Sequence, residues 1–278
     1  FRRIDDFGLN RAEFIIIEPD QKNTLQEISF NRLARYSAHC PMYIPTNHPE
    51  NPLLASVIDF DEERRKSSVD LMLKTARDAC EIGAEYIVVH LQRPEHFGGM
   101  NPSGFSLQNA LDSACRSCES LASNTLSTGV PFYVENLMDN GLFFAPESYL
   151  SILEKFPEIG FCLDLGHLDV DSRKFGFSFD DFLDSLLPYI KAVHLHNSNT
   201  DQSDLIDRHW KIPVHPDQPP EQNWLDIDTI LRKILAFNND CVINFEARLD
   251  AVHDFEYMSR GISWVKKLVP RILSDVAT

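Results

Sequence analysis

Phe161-Cys-Leu-Asp-Leu-Gly-His-Leu168 is an apolar run that ends on a carboxylate, Asp164, with an imidazole, His167, three residues further on. A run of this length reads as a buried strand. Gly166 is read as permitting a tight turn between the two polar groups. No nearby charge pairs with Asp164, and a buried carboxylate without a partner is costly, so a metal ion is the economical companion. The same plan recurs along the chain. Tyr36–Met42 carries His39, Tyr86–Leu91 carries His90, and Val130–Leu137 carries Glu135. Ala192–Leu195 carries His194, and Val242–Glu246 ends on Glu246. Polar groups at the C-terminal ends of many parallel strands are how an α/β barrel builds its site.

Strand-like runs alternate with helical patterns from end to end, the signature of βα units and a parallel sheet. Strands are expected near Glu13–Ile17, Tyr36–Met42, Tyr86–Leu91, Pro131–Glu135, Ile159–Leu163, Lys191–Leu195 and Val242–Glu246. Helices are expected near Leu25–Leu33, Asp61–Ile82, Ser106–Ser127, Pro146–Lys155, Ser178–Leu187, Ile227–Ala236 and Glu256–Val269. Asp61 is placed to cap its helix, and Arg64, Arg65, Lys74 and Arg77 to cover that helix's outer face. The expected fold is therefore a (β/α)8 TIM barrel, with residues 1–278 forming one domain. Seven strands are one short of closure. The expectation is that the first strand precedes Phe1, the other option being closure in some other way. Loops at Asn47–Val57, Glu95–Ser106 and Ile212–Asn223 follow candidate ligands, where barrel enzymes commonly carry specificity.

The bulk composition narrows the function classes. The chain has 278 residues, 43% of them hydrophobic, and no apolar stretch of the roughly 20 residues a membrane helix needs. No signal peptide is visible, and the six cysteines are scattered rather than clustered, so a cytoplasmic setting is expected. Cys115 and Cys118 form a C-x-x-C inside a helical pattern and read as structural. A net charge of −16 disfavours a nucleic-acid partner, although bound cations would offset part of it. A small-molecule or phosphodiester substrate is expected, with no membrane partner.

The candidate ligands are His39, His90, Glu135, Asp164, His167, His194, Asp207, His209 and Glu246. Carboxylates closing buried strands, Glu135 and Glu246 above all, can bridge cations or act as bases. Mixed imidazole and carboxylate donors suit Zn2+, Mn2+ or Fe2+ better than Ca2+. Val193-His194-Leu195-His196 puts two imidazoles on one side of a strand. His194 is read as the ligand and His196 as supporting it or touching substrate. Arg93 and Arg208 could clamp an anion. His48, His96, His215 and His253 are treated as solvated, with His215, after Pro213, the one placed to reach a substrate.

Taken together, these nine residues resemble the ligand set of the endonuclease IV family (AP endonuclease family 2), within the xylose-isomerase-like barrel superfamily. The resemblance runs from about residue 13 to 250 and fills all nine positions. It implies a bridging Glu135, with one zinc taking His39 and His90. A second zinc would take Asp164, His194 and Glu246, and a third His167, Asp207 and His209. The implied activity is a multinuclear zinc hydrolase acting on a phosphodiester or similar bond through a metal-activated water. Two departures bear on the substrate rather than the metal. Trp-Lys-Ile-Pro-Val-His-Pro follows His209 where a glycine-rich turn is expected, and Leu-Gln-Arg-Pro follows from His90. Two alternatives stay open. Val-Glu-Asn-Leu, Cys-Leu-Asp-Leu-Gly-His-Leu and Val-His-Leu-His resemble barrel enzymes that hydrolyse corrinoid amides. Glu135, Asp164, His194 and Glu246 resemble a one-metal sugar isomerase or epimerase, in which the two glutamates move the proton.

Overall fold

A computed structural model describes residues 7–31, 35–45, 51–93, 104–139, 141–199, 211–248 and 254–276. The chain divides into two compact units, residues 1–161 and 162–278, and the boundary cuts through one strand. No helix among the described residues is long and apolar enough to cross a membrane.

The first unit carries β1 (Arg11–Phe14), α1 (Lys22–Asn31), β2 (Arg35–His39) and β3 (Ser56–Ile58). It continues with α2 (Glu62–Glu81), β4 (Ile87–Gln92), α3 (Leu107–Thr128), β5 (Phe132–Glu135) and α4 (Pro146–Leu153). All its strand pairs are parallel: β1 on β2, β2 and β3 on β4, and β4 on β5. Helix α2 begins where expected because the Asp61 carboxylate accepts the backbone N–H groups of Glu63 and Arg64. Its buried face runs through Val69, Met72, Ala76 and Ala79, the three- and four-residue spacing of one helical stripe. Helix α3 starts with a reciprocal cap between Ser106 and Asn109. It ends at Gly129, whose left-handed backbone (φ 75°) disfavours any side chain.

Strand β6 (Gly160–Asp164) leads into the second unit, which holds α5 (Leu165–Phe175), α6 (Phe179–Leu186), β7 (Ile190–Leu195), α7 (Ile227–Phe237), β8 (Val242–Phe245) and α8 (Phe255–Val276). Strand β7 pairs parallel with β8 in the register His194↔Asn244. Helix α7 buries Ile227, Ile230, Leu231, Ile234 and Leu235, again one stripe. The strand order is β1-β2-β4-β5-β6-β7-β8, with β3 off this path against β4. All seven expected strands and all seven expected helices are present, most displaced by a residue or a few.

Four readings need correction. The segment Asn47–Val57 is not all loop, because β3 begins at Ser56. Only three residues long, it continues beside β4 where β2 has ended: His39 faces Val88, and Ser56 faces His90. The apolar run Glu13–Ile17 overshoots its strand. Ile16 takes a left-handed conformation (φ 53°), and Ile15 and Ile16 are exposed. Asp164 and His167 do not flank a turn. Helix α5, which was not expected, begins immediately after Asp164, whose carboxylate accepts the His167 N–H at 2.8 Å. Arg65 is not on an outer face either: it is buried, and its guanidinium donates to Ser117 and Glu62.

Candidate metal centre

In the first unit three donors meet at the ends of β2, β4 and β5. His39 closes β2, Glu135 closes β5, and His90 stands opposite Glu135 in the β4–β5 register. His39 Nε2 lies 3.1 Å from Glu135 Oε2, and His90 Nε2 lies 3.6 Å from the same oxygen. The two imidazoles cross nearly edge to face, with centroids 4.9 Å apart. His39 Nδ1 is 3.1 Å from the Cys40 carbonyl, which accepts its N–H. That assignment leaves Nε2 with a lone pair pointing at a carboxylate oxygen, and two lone pairs this close need a proton or a cation between them. A backbone carbonyl holding the far nitrogen is also how metal-binding histidines are commonly oriented. Both Glu135 and His39 are buried, so a charge there is poorly screened. Burial pushes the neighbouring Cys40 thiol up to about 12, so it stays protonated at neutral pH.

In the second unit Asp164, His194 and Glu246 offer ligand atoms within 4.8 Å of one another. Asp164 ends β6, His194 lies in β7, and Glu246 follows β8 with its N–H donated to the Leu195 carbonyl. His194 Nδ1 is 3.0 Å from Glu246 Oε2. His167 Nδ1 is 3.3 Å from Asp164 Oδ2. Asp164 therefore has company that its sequence context did not reveal, since His196 Nε2 also lies 2.8 Å from Oδ1. The His196 tautomer follows from its other nitrogen: Nδ1 accepts the Lys211 N–H at 3.1 Å, so Nε2 carries the proton and donates to Asp164. Gly166 makes room for this ring. A Cβ there would stand 2.0 Å from His196 Cε1. Nearby, Asp169 is buried between Arg173 and Ser198. Burial pushes its carboxyl above the usual range, against the opposing pull of those two hydrogen bonds.

Lys211 was missed by the sequence reading. Its ammonium donates to Glu246 Oε1. The signal for it was only that it stands two residues after His209, in the segment that departs from the family's pattern. Asp207, Arg208 and His209 lie outside the described residues, as do His48, His96 and His253. Arg93 is buried, with Nε 3.5 Å from the Leu54 carbonyl. His215 is not solvated: it is 2% exposed and stacks on Tyr257 with centroids 4.0 Å apart. Its segment is tied down by Gln218, which accepts the His215 N–H and donates to the Pro213 carbonyl and the Tyr257 hydroxyl. All six cysteines are free thiols.

Comparison with known proteins adds three findings. The AP endonuclease family 2 model, described as a xylose isomerase-like TIM barrel, matches residues 1–268. A protein of Mycoplasmopsis agalactiae named "Probable endonuclease 4" is 24% identical over 214 residues, which is 73% of each chain. Among solved structures, a D-tagatose 3-epimerase-like protein superposes with a TM-score of 0.71 at 19% identity, covering 100% of this chain and 94% of that one. A Thermus thermophilus protein solved after soaking with ZnCl2 gives 0.63 at 22% identity, covering 98% and 93%. At these identities the structural likenesses carry the fold.

Proposed function

The chain belongs to the xylose isomerase-like TIM-barrel family, and on that premise we propose that it is a metal-dependent hydrolase with a multinuclear centre, built in a single barrel domain of residues 1–278. The observation that carries this reading is the pair of imidazoles, His39 and His90, gathered on one oxygen of Glu135. A one-metal isomerase has no need of them. On the family resemblance, His39, His90 and Glu135 would hold one ion, Asp164, His194 and Glu246 a second, and His167, Asp207 and His209 a further one. Zn2+ is the first choice for so imidazole-rich a donor set, with Mn2+ or Fe2+ as substitutes. Bound there, such ions supply a water acidified toward neutrality and neutralise charge on the scissile group.

The chain's own residues prepare the rest. The Cys40 carbonyl, holding Nδ1 of His39, orients its Nε2 toward Glu135, and His196 steadies Asp164 by donating to it. Glu135 and Glu246 would hold the centre, and a nearby carboxylate would accept a proton. Arg93 and Arg208 would pair with an anionic substrate. A phosphodiester or a similar bond in a small molecule suits this charge arrangement. The net charge of −16 counts against extended nucleic acid. A cytoplasmic location is proposed, in keeping with six free thiols.

A second reading is a sugar isomerase or epimerase with one metal. The tight grouping of Asp164, His194 and Glu246 favours it. Glu135 and Glu246 would then pass a proton between adjacent carbons. Metal content per chain, measured with turnover, separates the two. The hydrolase predicts two or three zincs and cleavage of abasic-site DNA, another phosphodiester or a corrinoid amide. It also predicts that His39→Ala with His90→Ala removes one zinc and the activity. One ion per chain, and ketose interconversion that survives the double substitution, would establish the isomerase instead.

A further inference from the structure

We propose that Lys211 is a positioning residue that sets how Glu246 coordinates and thereby which divalent ion the centre prefers; the inference rests on the metal-centre reading above. Lys211 sits in left-handed backbone (φ 59°), which a glycine would adopt without strain. A side chain kept in such a conformation points to a task for that side chain. All three of its polar groups are engaged. The N–H donates to His196 Nδ1 at 3.1 Å, the carbonyl accepts the Arg248 N–H at 2.8 Å, and the ammonium donates to Glu246 Oε1. Through His196, whose Nε2 is 2.8 Å from Asp164 Oδ1, the same residue reaches a second carboxylate.

The consequence lies in the two oxygens of Glu246. Oε1 is held by the Lys211 ammonium, whose side chain is 15% exposed against 36% for Glu246. Oε2 faces His194 Nδ1 at 3.0 Å and is the oxygen left for a cation. A carboxylate confined to one oxygen, beside imidazole, matches the four-coordinate preference of Zn2+. Release of Oε1 would let Glu246 chelate with both oxygens, raising the coordination number toward the octahedral, oxygen-rich shell that Mn2+ favours. Loss of the ammonium's charge acts on every divalent ion alike and cancels in the ratio of affinities.

The test is competitive titration of the full chain with Zn2+ and with Mn2+, for wild type, Lys211→Met and Lys211→Arg. The preference for Zn2+ over Mn2+ should fall about tenfold in Lys211→Met, at the low end of what outer partners of metal ligands contribute. Lys211→Arg should keep it, because a guanidinium donates to the same oxygen. A parallel loss of both affinities, or a lowered thermal midpoint with the ratio unchanged, overturns the inference while sparing the metal centre. Failure of the wild type to bind either ion overturns both. Lys211→Leu, which likewise carries no donor, provides the same readout should the Met variant not fold.

Discussion

Replacing Gly166 with alanine sets two physical effects against each other with opposite signs. Gly166 lies in the first turn of α5, where alanine is the better helix former by about 1 kcal/mol. Propensity alone therefore predicts a more stable protein. The new Cβ, however, would lie 2.0 Å from Cε1 and 2.4 Å from Nδ1 of His196. The ring cannot retreat without giving up its 2.8 Å bond to Asp164 and its 3.1 Å bond from the Lys211 N–H. Overpacking in a dense interior costs about 1–3 kcal/mol. Loss of a hydrogen bond to a charged group costs about 1.5–3 kcal/mol more. Less the propensity gain, the net destabilisation is about 1.5–5 kcal/mol, and at ~3 kcal/mol the thermal midpoint falls by ~6–12 °C. Thermal unfolding followed by circular dichroism reads this directly. The pair Gly166→Ala with His196→Ala isolates the cause, since the double variant should be no less stable than His196→Ala alone. A midpoint raised by Gly166→Ala would refute the close approach and leave only propensity.

Three further outcomes follow from features of single residues. Gly261→Ala should destabilise strongly, because its Cβ would meet the Val214 carbonyl oxygen at 1.8 Å and a backbone atom yields little; thermal unfolding measures it, and a neutral result would refute the contact. Asp61→Ala should lower stability by about 1 kcal/mol through loss of the α2 cap, read by denaturant titration with an unchanged slope. Glu62 is held at about 2, chiefly by its hydrogen bond with Arg65, against an ordinary value of 4.5. A depressed acid contributes stability above its unfolded value and loses it as pH falls toward the folded one. The stability gap between wild type and Glu62→Gln should therefore close between about pH 4.5 and 2. A gap that persists unchanged at about pH 2 would show that the pair is not electrostatic.

The parts of this molecule visible in the sequence are those fixed by local pattern. Period and length marked α2, α3 and α7, and Asp61 announced its helix because a cap acts on residues two and three positions away. Strand ends carrying His39, Glu135 and Asp164 were legible since a polar residue after a buried run is itself the anomaly. What escaped was set by tertiary partners. Three residues of β3 are too few for any period to register. Gly166 suggested a break in the chain because nothing local says that the ring of His196, far along the sequence, needs its space. The burial of Arg65 depends on Ser117 in another helix. Lys211 stands in a segment without periodicity, and its partners are fixed only when β7 and β8 pair.

The handover from β2 to β3 along one side of β4 has a bearing on how the sheet avoids aggregation. Beyond Val88, the β4 backbone has no β2 residue left to pair with, and an uncovered row of N–H and C=O groups invites another chain to add a strand. Ser56 and Ile58 take up that row opposite His90 and Gln92. A short patch thus shields the ladder beside His90. With that edge of β4 occupied from within the same chain, an incoming strand finds no free ladder there to join.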